Sequence, residues 1–365
     1  MAEALKYMYN PRFFDRLCPV LKDTVPRFDE NKFIHLVFDR NWPDLELKQR
    51  TRQITLALHH FMPADFGKGA RVVVSISAAL RKSEKEQSYP FIFLPDYIEL
   101  FGLSHFEESM KAIQEVTKLV SAEFAIRPFI LRYPDKTMKQ MKVWSLNEDA
   151  AVRRLSSEGC RPRLPWAPGL PIFKKDPSPI FSILQNLKAD RSEYVRRSVA
   201  NNLNDITKDH PTVVLKMLRQ WDDNNANTKW IIKRACRTLL KKGNEEVHSL
   251  HGLSQKIECR VGKLSLPRQI NIGEDFSFSF EFTNRSTKEE KFQLNYAIDY
   301  VTSLGKISKK VFSIGEYSVG PSQSFFIERK RSFKNLTTRT HHKGKHQLTI
   351  LVNGKQKASE KFQVQ

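Results

Sequence analysis

The 365-residue chain has only four cysteines, Cys18, Cys160, Cys236 and Cys259, and no CxxC pair among them. Such scatter excludes a disulfide frame and a thiolate zinc site and leaves reduced, small hydrophobes. No apolar run approaches the roughly 20 residues that cross a bilayer. Met1 to Asn10 lacks the basic-then-apolar plan of a signal peptide, so the expected location is the cytoplasm, beside the nucleoid. GxGxxG, Walker, HExxH and GxSxG motifs are all missing, and the pairs His59-His60 and His341-His342 have no acidic or cysteine companions at ligand spacing. The sequence therefore predicts no metal, no nucleotide and no other cofactor.

What the chain has in excess is positive charge. Lys and Arg number 61 against 40 Asp and Glu, a formal +21. An excess of that size costs self-repulsion and favours a polyanionic partner, with nucleic acid ahead of an anionic membrane face. Residues 254–365 are the densest part, with 20 basic against 10 acidic residues.

The length predicts at least two cores. Up to about residue 250 the apolar positions recur at three and four, as in Phe33, Leu36, Val37 or Val116, Leu119, Val120. Pro, Gly, Asn and Asp punctuate this pattern every 12 to 20 residues, which predicts many medium helices with short joints, a solenoid or bundle. Four segments end in a β-branched residue followed by a cation, Arg127, Arg153, Arg196 and Lys233, at intervals of 26, 43 and 37 residues. That is near the pitch of a two-helix HEAT-like repeat. Stacked repeats would set these cations along one concave face as a phosphate track, or they are ordinary exposed helix charges. Six prolines between Pro162 and Pro179 predict a stiff, extended loop between helices. After Leu253 the period becomes two: Phe276, Phe278, Phe280 and Phe282 alternate with polar residues, and about seven short runs separated by turn signals read as an immunoglobulin-like β-sandwich. The expected architecture is an all-α HEAT-like repeat solenoid over residues 1–250, followed by an all-β sandwich over 256–365.

The residues that suggest chemistry are acids. Glu123 is placed in the first turn of a predicted helix after Ser121, with Arg127 one turn on to hold it. Glu158 ends a predicted helix, with Gly159 as a left-handed cap, so an anion meets the negative end of the helix dipole. This mismatch costs roughly 0.3 to 1 kcal/mol unless a cation offsets it. Arg154, Arg161 and a cationic substrate are the three candidates. Arg161, Arg163 and Trp166, stiffened by Pro162 and Pro165, combine phosphate-binding cations with an aromatic face that either meets a base or plugs a core. In the segment 194–203, Val195, Val199 and Leu203 form the buried stripe, while Arg196, Arg197, Asn201 and Asn202 point away and are able to reach phosphate. The clusters Arg329-Lys330-Arg331 and Arg339 to Lys345, with Lys343 between, are either further phosphate contacts or a solvated, aggregation-blocking edge.

Three segments together resemble a known family. Ser121 to Ile130 (SAEFAIRPFI), Ser157 to Ala167 (SEGCRPRLPWA) and Tyr194 to Ile206 (YVRRSVANNLNDI) look like the HEAT-like-repeat DNA alkylation repair glycosylases, in the AlkC branch. The resemblance covers about residues 1–250, and some members carry an appended immunoglobulin-like domain. It implies excision of alkylated bases, 3-methylcytosine and 3-methyladenine, from double-stranded DNA without cofactor and without flipping the base into a deep pocket. It also implies that Glu123 and Glu158 are the active-site carboxylates and that Trp166 is the aromatic at the lesion. A monomer is the default expectation. The competing reading is a non-catalytic HEAT-like scaffold that binds DNA or a protein, in which both glutamates merely pair with neighbouring arginines.

Overall fold

A computed structural model describes residues 5–83, 89–221, 224–254, 256–336 and 339–365; the first four residues of the Met1–Asn10 segment lie outside the described set. The chain falls into two compact units, Met1–Pro211 with Trp221–Ala235, and Thr212–Gln220 with Cys236–Gln365.

The first unit is helical, as the three-and-four spacing predicts. Its helices bury one apolar stripe each; Glu193–Ile206, for example, buries Val195, Val199, Leu203 and Ile206. Helices Ala150–Glu158, Glu193–Ile206 and Ala226–Ala235 pack side by side in chain order, and helices Ile126–Arg132 and Pro134–Trp144 precede them. The layers are tied by polar as well as apolar contacts. Ser157 Oγ lies 2.7 Å from Ser198 Oγ, and the Asn202 amide donates to the Ser157 carbonyl at 2.7 Å. Asn202 is thus fully buried, not turned outward with its neighbours as its position in the sequence suggests. No helix among the described residues is long and apolar enough to cross a membrane.

The proline-rich stretch differs from its expectation. It is not extended throughout: a short helix, Pro171–Lys175, lies inside it, and Ser178–Asn186 starts before it ends. Pro171 and Pro179 occupy first-turn positions, where a missing N–H costs nothing and the fixed φ favours helix entry.

In the second unit the described residues form eight strands in two sheets. These are β1 (Cys259–Ser265), β2 (Gln269–Ile270), β3 (Asp275–Asn284), β4 (Glu290–Val301), β5 (Ile307–Val319), β6 (Ser324–Ser332), β7 (Gly344–Val352) and β8 (Lys355–Val364). The sheet orders are β1-β3-β6 and β2-β8-β7-β4-β5. All four phenylalanines of β3 face inward, and the sheets meet through rings: Phe278 against Tyr296 at 4.9 Å, Phe282 against Phe292 at 5.0 Å. With no disulfide among the described cysteines, this aromatic layer holds the sandwich. The Asn353-Gly354 pair, both at positive φ, closes the β7–β8 hairpin as the sequence signal anticipates.

Candidate active site

The two predicted glutamates meet on one guanidinium. Glu158 is the last residue of helix Ala150–Glu158, whose start is fixed by Asp149 accepting from the Ala151 N–H at 2.7 Å. Glu123 lies in the turn before helix Ile126–Arg132, three residues ahead of it, not in a first helical turn. Arg154, one turn back from Glu158, donates through Nη1 to Glu123 Oε2 and forms an ion pair through Nη2 with Glu158 Oε1 at 3.4 Å. Ser121 Oγ also donates to Glu123 Oε2, at 2.9 Å. The Arg154 guanidinium stacks on Tyr194 at 4.8 Å. Burial works against its charge, but Glu158 and Glu123 outweigh that and raise its pKa above the ordinary arginine value.

Arg161 extends the network. Its Nη1 donates to Glu158 Oε1 at 2.7 Å and its Nε to Asp205 Oδ2 at 2.9 Å, while Lys208 reaches Asp205 Oδ1 at 3.1 Å. Glu158 is 5% exposed, so it is not a solvated surface acid. Both Arg154 and Arg161, two of the three candidate cations, offset its position at the negative end of the helix. In each glutamate one oxygen carries these contacts. Oε1 of Glu123 and Oε2 of Glu158 have no hydrogen-bond partner among the described residues.

Gly159 is not the left-handed cap. Its φ is −62° and its ψ −33°. Its smallness matters for packing: a Cβ there would come within 2.5 Å of Ile126 Cγ2, so any side chain would push the Glu158 helix away from the helix that comes after Glu123.

Trp166 is 59% exposed, which removes the core-plug alternative, and its φ is +63°. A left-handed backbone costs a non-glycine residue about 1 to 2 kcal/mol, so the surrounding loop must enforce it. It does so through its carbonyls. The Leu170 N–H donates to the Pro162 carbonyl at 3.1 Å, closing the loop, and Lys48 Nζ donates to the Trp166 carbonyl. Arg127 donates to the carbonyls of Gly159 and Arg161, each at 3.0 Å, and to that of Pro168.

Several expected phosphate contacts are corrected by this geometry. Arg127 is 3% exposed and spent on loop carbonyls, and burial lowers its pKa to about 10. Arg153 is buried too, donating to both Asp190 oxygens at 2.6 and 3.1 Å and to the carbonyls of Asn147 and Glu148. Arg161 is buried between two acids. These three are internal ties, so the one-cation-per-repeat track fails at its first two members. Arg163 is half-buried and pairs with Asp209 at 2.7 Å; Arg196 is half-buried, donates to the Asp190 and Arg191 carbonyls and lies 5.7 Å from Trp230. Arg197 is exposed and pairs with Glu193, Asn201 is half-buried, and Lys233 is exposed.

In the sandwich, Arg329, Lys330 and Arg331 lie on β6, an outer strand of its sheet. Lys330 points out, 3.2 Å from Asp275, whereas Arg329 reaches Tyr317 Oη at 3.3 Å and Arg331 lies over Phe312 at 4.0 Å. Arg339 lies over Tyr300 at 5.1 Å, and Lys343 and Lys345 are exposed. Asp205 and Tyr194 were not singled out by sequence reasoning. A signal for Asp205 existed: it sits in the last turn of Glu193–Ile206, an anion at a helix C-terminus, the same mismatch that marks Glu158.

Stacked helix layers with a carboxylate pair at their seam, followed in the chain by a β-sandwich, fit an alkylation repair enzyme with an added domain. The profile of the "DNA alkylation repair enzyme" family matches residues 106–239, and that of the "Uncharacterised protein YhaZ, C-terminal Ig-like domain" matches 260–365. The chain is 40% identical to the uncharacterized protein YhaZ of Bacillus subtilis (strain 168), over 99% of each chain. It superposes on the Pseudomonas fluorescens alkylpurine DNA glycosylase AlkC, bound to DNA containing an abasic site analog, with a TM-score of 0.93 and 36% identity, covering 100% of both chains. The chain belongs to the DNA alkylation repair enzymes, in the AlkC branch, and is a DNA N-glycosylase.

Proposed function

We propose that the chain hydrolyses the N-glycosidic bond of cationic N-alkylated bases, 3-methyladenine and 3-methylcytosine, in double-stranded DNA, and that the lesion is attacked without being flipped into a deep pocket. Glu123, Glu158 and Trp166 are the residues assigned to the reaction. The observation that carries this reading is the shared Arg154 clamp, which gathers two carboxylates and leaves one oxygen of each unspent. An N3-alkylated base is already positive, so it leaves as a neutral molecule and needs no general acid. The barrier is the positive charge that builds on the deoxyribose. Fixed negative oxygens beside that sugar lower the barrier and orient the attacking water. An exposed indole face attracts the cationic base by about 0.5 to 2 kcal/mol and so separates it from neutral bases.

DNA is the supported partner, through the likeness to a DNA-bound AlkC and the +21 charge. With the arginines around the carboxylates committed to acids and carbonyls, the grip falls to exposed cations such as Lys233, Lys330, Lys343 and Lys345. The test is a screen of free bases released from methylated duplex DNA, together with strand cleavage at the abasic sites formed. Release of 3-methyladenine and 3-methylcytosine above the uncatalysed rate is expected. Release of neither base, with DNA still bound, would overturn the substrate assignment.

A further inference from the structure

Beside Trp166 lies a cavity of about 220 Å³. Its walls include the rings of Tyr89, Phe124 and Trp166 and the side chain of Leu131. It adjoins the carboxylate centre: Ser121 lines it and also donates to Glu123. Two acids from helix Phe93–Phe101 supply its polar side. Asp96 is saturated, accepting from Thr55 at 2.7 Å and Arg52 at 2.9 Å. Glu99 has Arg52 at 4.0 Å and no hydrogen bond of its own among the described residues. Arg127 also lines the cavity, and its Nε is buried without a partner. A buried donor left without a partner costs free energy unless something in the cavity accepts from it.

The contents are constrained by size and by polarity. A dry cavity of about 150 Å³ admits benzene, so this one accommodates a fused bicyclic ring with a methyl group. Aromatic walls favour a flat π-system. A donor without a partner, Arg127 Nε, and a carboxyl without a hydrogen bond, Glu99, on the same lining suit a heterocycle with ring nitrogens of both kinds. Burial, and then the neighbouring Asp96, push the Glu99 carboxyl up to about 7, where it both gives and accepts a proton in a shared hydrogen bond. Such a group pairs well with a weakly basic ring nitrogen.

We propose that this cavity is a holding site for the free N-methylated purine after it has been excised, with Trp166 at its rim and Glu99 and Arg127 as its polar contacts. The inference rests on the glycosylase reading, and it adds a product site distinct from the place where the bond breaks. Its consequence is product inhibition: base retained beside the carboxylates delays the next turnover.

The test uses the full chain and free 3-methyladenine in equilibrium dialysis, with adenine as the comparison. Saturable binding of 3-methyladenine is expected, with adenine about fourfold weaker for want of one buried methyl. Leu131→Trp fills the cavity from a position that is 51% exposed, so the fold tolerates it. It is expected to weaken binding at least tenfold and to relieve inhibition by added base, with single-turnover release within twofold of the parent. Glu99→Gln is expected to weaken binding about tenfold. Absence of binding in a preparation that releases alkylated bases overturns the cavity assignment alone, as does binding that both variants leave unchanged. A tenfold fall in single-turnover release by Leu131→Trp would put the base in the cavity before cleavage and overturn the product role. Binding without glycosylase activity would support the cavity and overturn the reading it rests on.

Discussion

Replacing Glu158 by Gln isolates charge from shape. Glutamine keeps an Oε1 to accept from Arg161 at 2.7 Å, 3.4 Å from Arg154 Nη2. Only the difference between charged and neutral hydrogen bonds is lost, about 1 to 2 kcal/mol in all. Glu123 still pairs with Arg154 and Asp205 with Arg161, so neither guanidinium is stranded. Melting should therefore fall by no more than several degrees. The effect on the transition state is larger. A full charge about 4 Å from a developing cation contributes about 4 kcal/mol at an effective dielectric of about 20. Loss of comparable fixed electrostatic groups slows reactions roughly 10²- to 10³-fold. The assay is single-turnover release of free base from alkylated duplex, read by chromatography, beside a DNA-binding titration. Release should fall at least 100-fold while affinity stays level or tightens slightly, since an anion has been removed near phosphate. Release within threefold of the parent would refute the role of Glu158, and a parallel loss of binding would mean that the substitution had damaged the fold.

Three further outcomes test other parts of the structure. Trp166→Gly and Trp166→Ala both remove the indole and should lower base release about 2- to 30-fold, but only glycine relieves the positive φ; Trp166→Gly should melt higher by about 1 kcal/mol equivalent, and equal melting would remove the strain argument. The double change Lys343→Gln with Lys345→Gln should flatten the salt dependence of DNA binding by about 0.9 in slope for each lysine that neutralises a phosphate, and an unchanged slope would take both off the interface. The sandwich should lose stability in mild acid. His341 is driven down to about 4, first by burial and then by Arg339 and Arg331, and burial lowers His346 as well. His346 Nε2 accepts the Val301 N–H at 3.3 Å, so its protonation breaks that bond. Because the folded values lie below the unfolded value of about 6.5, the unfolded chain takes up protons first, and stability present above that pH is lost as pH falls toward 4. His341→Phe should blunt the loss measured by thermal melts at pH 7 and pH 5; an equally steep loss would clear His341 of it.

The fold was legible because it is written in spacing. The change from a period near 3.6 to a period of two after Leu253 reports which face of each element is buried, and Phe276 to Phe282 all lie in the core. Glu158 was legible for a related reason, since its conflict with the helix dipole is local. The fate of the arginines was not. Arg127, Arg153, Arg196 and Lys233 share one local pattern, yet the first two are buried by partners far along the chain: Asp190 lies 37 residues from Arg153 and the Gly159 carbonyl 32 from Arg127. Only the packing of one helix layer on the next decides whether such a guanidinium meets a carbonyl or solvent. The prolines misled for the opposite reason. Read as breakers, Pro171 and Pro179 in fact open helices, a choice set by the apolar residues Ile172, Phe173, Ile180 and Ile183 on their C-terminal side.

The pairing of the buried arginines bears on how a basic protein manages a cluster of acids. Three acids, Glu123, Glu158 and Asp205, are tied to three cations, Arg154, Arg161 and Lys208, so the cluster adds no net charge. At the distance from which DNA approaches, a neutral cluster neither repels phosphate nor competes with the +21 excess carried elsewhere. Within a few ångströms the cancellation fails, because the cations bind one oxygen of each glutamate and leave the other bare. The field is then locally negative where a sugar cation would form. If Arg154 were replaced by an uncharged residue of similar length, Glu123 and Glu158 would face each other unshielded, and breaking such a buried pair costs about 3 to 5 kcal/mol. The arginine makes two acids tolerable side by side, and on the proposed reading holding DNA is left to cations exposed elsewhere on the chain.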